Sequence, residues 1–497
     1  MKNPLRTEFD SQENVDLLML YVTVLGMSKL SVRQIIKTLS KSEMLPRSFA
    51  EIFAKATALV DRWNYGVSEV LEFIQTEVKK PKLRGLVTRI QHSFKAGVSL
   101  EDFARIEYGK HRSENENDFE KGLEKLRRLV EAYTTLISVV SLLTVSFLLV
   151  STILGGTSGS FLEIALISVA TTLGSTTLLF LTNNLRRPLF SKNPIKPKTL
   201  QTLLRVSSTV FALSTALAAA APSIGAFTGG MTVAYASTAM VLAGAPLCVH
   251  GYLGRRWHKK ISNTENMLPI LLKSFGDYLS ATGSIKSAVH MLTLSDFGPL
   301  NQILKKLETR LKFGLSQTLA VKTFGVETYG RIGENALGVL AELLESGARP
   351  THACNILSDY VSTHLMNDKR RQQITSSLKT LSIPLHATLA AIFALLTTLL
   401  TILSKISELL ENYLMLIKPV DTTTVVTYFY TIIVVTSLIT AVNIYLADGD
   451  SPFTLTYFMG IILSVSGVCY MLMTAASEQL LSSFIGLSEN IRGITPG

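Results

Sequence analysis

Cysteine, charge and the common catalytic signatures are what this chain has little of, and each scarcity removes a class of protein. The three cysteines, Cys248, Cys354 and Cys469, are too scattered for a disulfide framework or a Cys-based metal cluster. Histidines 92, 111, 250, 258, 290, 352, 364 and 386 show no metal-ligand spacing with a cysteine or an acid. No Gly-x4-Gly-Lys-Ser/Thr loop occurs, and the glycine-rich stretch Gly155-Gly156-Thr157-Ser158-Gly159-Ser160 lacks the lysine that would reach a nucleotide's phosphates. No serine lies in a nucleophile-elbow context. The expectation is a protein with no catalytic residue, no cofactor-binding residue and no metal ligand, and so not an enzyme. Charged residues make up only 17% of the 497, against 47% apolar, a balance foreign to a soluble chain.

The apolar residues gather into runs. Those at 130–154, 161–181, 206–221 and 232–252 precede a long polar block, and those at 381–403, 426–446 and 453–475 follow it. Each is close to the length a bilayer requires, which predicts about seven transmembrane helices. The run at 17–27 is too short to span and follows a charged start, so it reads as a buried helix of a first domain and not as a leader.

The polar block at 255–380 repeats the first one, and the repeat shows best at turns. Leu30-Ser31-Val32-Arg33 answers to Gly283-Ser284-Ile285-Lys286, Trp63-Asn64-Tyr65-Gly66 to Leu311-Lys312-Phe313-Gly314, and Ala96-Gly97-Val98-Ser99-Leu100 to Ser346-Gly347-Ala348-Arg349-Pro350. The offsets are 253, 248 and 250 residues. Glycine closes a helix in the left-handed conformation, and a following serine offers its hydroxyl to the bare N–H groups of the next. Such turns in register predict two copies of one bundle of about six helices.

Basic charge is confined to the polar segments. Residues 1–128 hold 22 Lys and Arg against 18 Asp and Glu, residues 183–205 hold 6 against none, and residues 255–380 hold 17 against 10. A short basic stretch beside two spans stays cytoplasmic, and an even number of spans between the copies returns the chain to that side. Both copies and the N-terminus are therefore expected in the cytoplasm, at the cell membrane. The acidic turn Asp448-Gly449-Asp450 fits this scheme least well, since it falls on the inner side.

Two functional classes compete. A polytopic solute transporter needs ionisable groups near the bilayer midplane, yet the central parts of these runs contain no Asp, Glu, Lys or Arg, and His386 and Asn443 are the notable polar exceptions. A packed scaffold suits the small residues Ala216, Ala218, Ala219, Ala220 and Gly244. For a scaffold, the chemistry lies in its basic positions: Lys305, Lys306, Arg310 and Lys312, then Lys369, Arg370 and Arg371, with Arg186 and Arg187 in the basic loop. Such groups suit a solvated helix face, membrane lipids with anionic heads, or an acidic cytoplasmic protein. Nucleic acid is the poorest partner because aromatic residues are not interleaved with the basic ones.

The duplicated helical block, its turn segments and the spans after each copy resemble the type II secretion F-domain family, the inner-membrane platforms of type II secretion, type IV pili and archaella. The resemblance covers nearly the whole chain. Four spans between the copies and three after them look like the archaeal platforms. It implies an all-α, polytopic protein: a first cytoplasmic domain with its stalk at 1–128, four spans at 129–254 with the loop 183–205, a second domain at 255–380, and three spans with a tail at 381–497. It further implies a non-enzymatic homodimer that couples a hexameric secretion ATPase to insertion of prepilin-like filament subunits, with the basic positions above as candidates for docking.

Overall fold

The structure is a computed structural model, and it describes residues 12–27, 30–78, 81–153, 189–190, 197–227, 230–346, 350–409, 422–449 and 451–492. Among these residues there is no strand, only one isolated bridge between Phe190 and Gly330. The first copy is a succession of helices α1 (Gln12–Gly26), α2 (Val32–Lys41), α3 (Arg47–Arg62), α4 (Val67–Glu77), α5 (Pro81–Lys95) and α6 (Leu100–Ile153). After α7 (Lys198–Phe227), the long α8 (Val233–Thr282) opens the second copy, which continues through α9 (Ile285–Thr293), α10 (Asn301–Lys312), α11 (Gln317–Glu327), α12 (Arg331–Ser346) and α13 (Pro350–Leu409). Two more helices follow, α14 (Thr422–Asp448) and α15 (Pro452–Arg492). Six helices follow one another in each block, and among the described residues the second alone has a short 3-10 turn, Gly298–Leu300, before α10.

Apolar spacing explains which faces are buried. In α10, Leu304, Leu307 and Leu311 recur one turn apart on the buried side, while Lys305, Lys306 and Lys312 are exposed. The closing turns also follow the expected chemistry. Gly97 and Gly314 take φ of +73° and +82°, and in each case the next residue bonds back to a carbonyl five positions earlier, Val98 to Ser93 and Leu315 to Arg310.

One register differs from the expectation. In the middle turn of the first copy the left-handed residue is Asn64, with φ of +53°, while Gly66 has an ordinary φ of −67° and caps α4. Asn64 therefore stands opposite Gly314, and Gly66 opposite Ser316, at an offset of 250 and not 248 residues. Asparagine tolerates the left-handed region well enough to replace glycine there. From this turn onward α4, α5 and α6 begin 250 residues before α11, α12 and α13.

The chain divides into two compact units. The first comprises 1–120, 189–196 and 259–369, so it holds the helical bundles of both copies and a piece of the basic loop. The boundaries fall inside α6, α8 and α13, at 120, 258 and 369, where 128, 254 and 380 were expected. One apolar core serves both copies: Leu20, Leu25 and Phe49 of the first share it with Leu272, Leu340 and Val361 of the second. The run at 17–27 lies in this core as part of α1, as expected of a buried helix.

The second unit comprises 121–188, 197–258 and 370–497. Five helices among the described residues, α7, α8, α13, α14 and α15, are long and apolar enough to cross a membrane, where about seven spans were expected. The run at 130–154 is helical as far as Ile153, and the run at 161–181 lies outside the described residues. Small residues let the spans approach closely. A Cβ added at Gly244 would lie 2.4 Å from Ser464 Oγ, and one at Gly460 would lie 2.4 Å from the backbone of Cys248, so α8 and α15 touch almost backbone to backbone. Of the small residues singled out in the third run, Ala218 is buried and its carbonyl accepts a bond from Tyr430 at 2.7 Å.

Candidate docking surface

The first basic cluster is partly neutralised by its own domain. The Arg310 guanidinium donates two bonds to Glu327, at 2.9 and 2.6 Å, and Lys306 approaches the same carboxylate at 3.8 Å. Lys312 pairs with Glu308 one turn earlier at 2.7 Å, and His290 Nδ1 reaches that carboxylate at 2.8 Å. Lys312 first and His290 second hold the Glu308 carboxyl below its ordinary range. Lys305 is exposed.

The second cluster separates. Lys369 is exposed and Arg370 half-buried, but Arg371 is among the most deeply buried large side chains, 2% exposed, and its Nε donates to the Ala447 carbonyl at 2.9 Å. A guanidinium so placed is a strut within the second unit and has no surface for docking. Beside it, Lys379 pairs with Asp448, which also accepts from Thr375 at 3.3 Å. Asp448 at the end of α14 is thus matched by Lys379 of α13, while Asp450 lies outside the described residues. Arg186 and Arg187 lie outside the described residues.

The basic loop nevertheless shows where it goes. Phe190 bridges to Gly330, and the N–H of Arg331 donates to the Leu189 carbonyl at 2.9 Å, so the loop adds to the start of α12 in the second copy. Beneath that junction sits Glu265. It lies on α8 beyond the basic residues Arg255, Arg256, Lys259 and Lys260 that end the apolar part of this helix. Its carboxylate, 1% exposed, accepts the backbone N–H groups of Ile332 at 3.1 Å and Gly333 at 3.2 Å. Burial outweighs these two bonds and pushes the carboxyl up to about 8, with Asp368 adding to the effect.

Between the copies lies a groove of about 880 Å³, walled by Lys37 and Lys41 on one side and by Ser316, Leu319 and Lys322 on the other. Its base is fastened by charge. Tyr21 donates to Glu342, whose other oxygen accepts the Glu43 N–H at 3.2 Å, and Lys322 pairs with Glu43. The groove could not be read from sequence, because its walls come from helices almost 300 residues apart.

The chain is similar along 95% of its length to "Flagella accessory protein J" of Methanocaldococcus jannaschii, with 22% identity over 489 residues that cover 86% of that protein. It is 25% identical over 336 residues to the protein of the same name from Methanococcus voltae, which covers 65% of this chain and 59% of that one. No family model and no solved structure matches it.

Proposed function

We propose that this protein is a non-enzymatic membrane platform on which a type IV pilus-like filament of the archaellum kind is assembled, and that it couples a cytoplasmic secretion ATPase to insertion of prepilin-like subunits. The observation that carries the reading is the duplicated bundle itself. In each copy the last helix, α6 or α13, runs without a break from the polar bundle into an apolar segment. A helix continuous across that junction transmits a push on the bundle to the membrane part through the hydrogen bonds along its axis, which in α13 are interrupted at Pro384. The name carried by the relatives agrees with an accessory role in assembling a filament.

The orientation proposed is N-terminus inside, both copies cytoplasmic, with lipids of the cell membrane around the second unit and a homodimer as the working form. The loop at Leu189–Phe190 supports it, since it joins the second copy and so lies on that copy's side. The docking surface is assigned to Lys305, Lys306, Arg310 and Lys312 with Lys369 and Arg370, and Arg186 and Arg187 are included by their charge alone. The transporter alternative has less to stand on, because His386 is tied by Nδ1 to the Ser382 carbonyl at 2.9 Å and by Nε2 to Thr440 at 3.3 Å.

The test is a deletion complemented in trans in the native cell. The platform reading expects no filament on the deletion strain, normal processing of filament subunits, and loss of the ATPase from the membrane fraction. Filaments assembled without this chain, or solute flux in proteoliposomes, would reject it.

A further inference from the structure

The register found at the middle turn brings together a pair of residues that the sequence comparison had kept apart. Trp63 and Phe313 stand 250 residues apart, each immediately before the left-handed residue that closes a helix, Asn64 or Gly314. Trp63 is 72% exposed and Phe313 is 87% exposed. A single exposed aromatic needs no explanation. Two at the same place in a duplicated bundle do. The neighbours recur too: Arg62 and Lys312 precede them, and Lys55 and Lys305 lie two helical turns earlier, also 250 residues apart. Next to each aromatic an apolar side chain, Tyr65 or Leu315, is half in solvent. Close to each tip along the chain, Asp61 binds Lys37 of one groove wall at 3.2 Å, and Ser316 of the other wall follows the Phe313 turn.

We propose that Trp63 and Phe313, with Arg62 and Lys305 beside them and Lys55 and Lys312 already paired to Glu77 and Glu308, are twin anchors that seat in apolar sockets rimmed by acid on an oligomeric partner, the two anchors engaging two like subunits. Aromatic residues in apolar pockets dominate protein interfaces, and a charged rim steers and orients the encounter. A second copy of this chain is a poor occupant, since Arg62 and Lys305 beside its tips would face the same cations of the other copy. An anionic membrane suits the surface less well than a protein does, because Asp61 and Glu308 lie beside the tips and would be driven against the lipid charge. Two equivalent aromatic anchors on one chain match a partner that repeats its own surface, and engagement of both makes the second contact intramolecular.

The partner for the test comes from the platform reading, on which this inference rests: the purified secretion ATPase of the same cell, as its native oligomer and as a variant held monomeric. Trp63→Ser, Phe313→Ser and the double variant are made in the full chain in detergent, where two exposed side chains have little bearing on folding. The wild type is expected to bind the oligomer, each single variant about tenfold or more weaker, and the double variant not measurably. Against the monomer each single variant should lose only about twofold, since either anchor suffices for a single subunit. Equal binding of the oligomer by wild type and double variant overturns the anchors while leaving the platform reading intact. No binding by the wild type overturns the platform reading and with it the partner assigned here. Loss of binding to vesicles rich in anionic lipid, with ATPase binding unchanged, assigns the tips to the membrane and overturns the proposal.

Discussion

The two copies in the first unit keep one feature and exchange most others. In the first, a Cβ built on Gly26 would lie 2.8 Å from the Cβ of Ala104; in the second, one on Gly276 would lie 2.7 Å from that of Cys354. Both pairs are 250 residues apart, so the same helix crossing, α1 on α6 and α8 on α13, is held at backbone contact in both. Polar contents are not held. The Arg89–Glu107 pair of the first copy, with two Nε contacts at 3.0 Å, has Val339 and Leu357 at the corresponding places, both wholly buried. Asp16 accepts from Asn115 at 2.7 Å and meets His111 at 3.1 Å in the first copy. The second has Asn266, Leu365 and Val361 at these places, a neutral amide where the acid stood and apolar side chains where its two partners stood. A close crossing tolerates only the smallest side chain, whereas a pair such as exposed Arg89 with nearly buried Glu107 can be replaced whole by apolar groups.

The sharpest way to break the comparison is to fill the crossings. Gly26→Val and Gly276→Val should each destabilise their copy by about 3 kcal/mol, at the upper end for overpacking, because the opposing atoms are backbone or Cβ atoms that cannot swing away. Amide exchange of the separate helices would check it. Sensitivity at one crossing alone would mean that the shared geometry is not a shared constraint.

Glu265 has no counterpart in the first copy, where Val15 stands 250 residues earlier. Its folded carboxyl holds a proton up to about pH 8, against an ordinary value of 4.5. The folded state therefore binds more protons than the unfolded one between these values. Its contribution is fully present below about pH 4.5 and is lost as pH rises toward 8. Glu265→Gln, which can still accept the two N–H bonds, should raise stability at pH 8 by about 2 kcal/mol and flatten the pH dependence of exchange in α12. An unchanged pH profile would place the ionised acid comfortably at the start of that helix.

A graft tests the exchanged pair. Arg89→Val alone leaves the nearly buried Glu107 carboxylate unpaired, at a cost of about 2 kcal/mol. Adding Glu107→Leu should recover most of that loss, since the second copy already carries Val339 and Leu357 at these positions. If the double variant is as unstable as the single one, the cores of the two copies are not interchangeable here.

How much of this was visible in the chain depends on distance along it. The turns were, because a local need for left-handed backbone calls for glycine at 97, 283 and 314. The middle register was missed because Asn64 does the work of glycine while Gly66 drew the eye as a cap. Arg371 looked like its exposed neighbour Lys369, since only the fold brings the Ala447 carbonyl to it. Glu265 carried no local signal either, as the N–H groups it accepts belong to residues 332 and 333. The anchors at Trp63 and Phe313 became visible only once the register was right.

The smallest expected effect concerns the first turn of each copy, where the matching serines cap differently. Ser31 and Gln34 form a reciprocal box: the Gln34 N–H donates to Ser31 Oγ at 3.3 Å, and the Ser31 N–H donates to Gln34 Oε1 at 2.9 Å. Ser284 caps α9 without any bond from its side chain to the helix, and its own N–H turns back to Thr282 Oγ1 at 3.4 Å. Replacing a cap that satisfies a bare N–H costs about 1 kcal/mol, and replacing one that satisfies none should cost a few tenths. Ser31→Ala should therefore loosen α2 by about 1 kcal/mol, whereas Ser284→Ala leaves α9 almost unchanged. A melting curve of the whole chain is a poor reading of this, because a protein with two compact units need not unfold in one step. Exchange of the first-turn amides resolves it, since those groups report opening of their own helix. Faster exchange in α2 by about fivefold, with α9 unmoved, is the expected result; equal acceleration in both would show that the Ser284 hydroxyl caps its helix after all, and that the two copies begin alike.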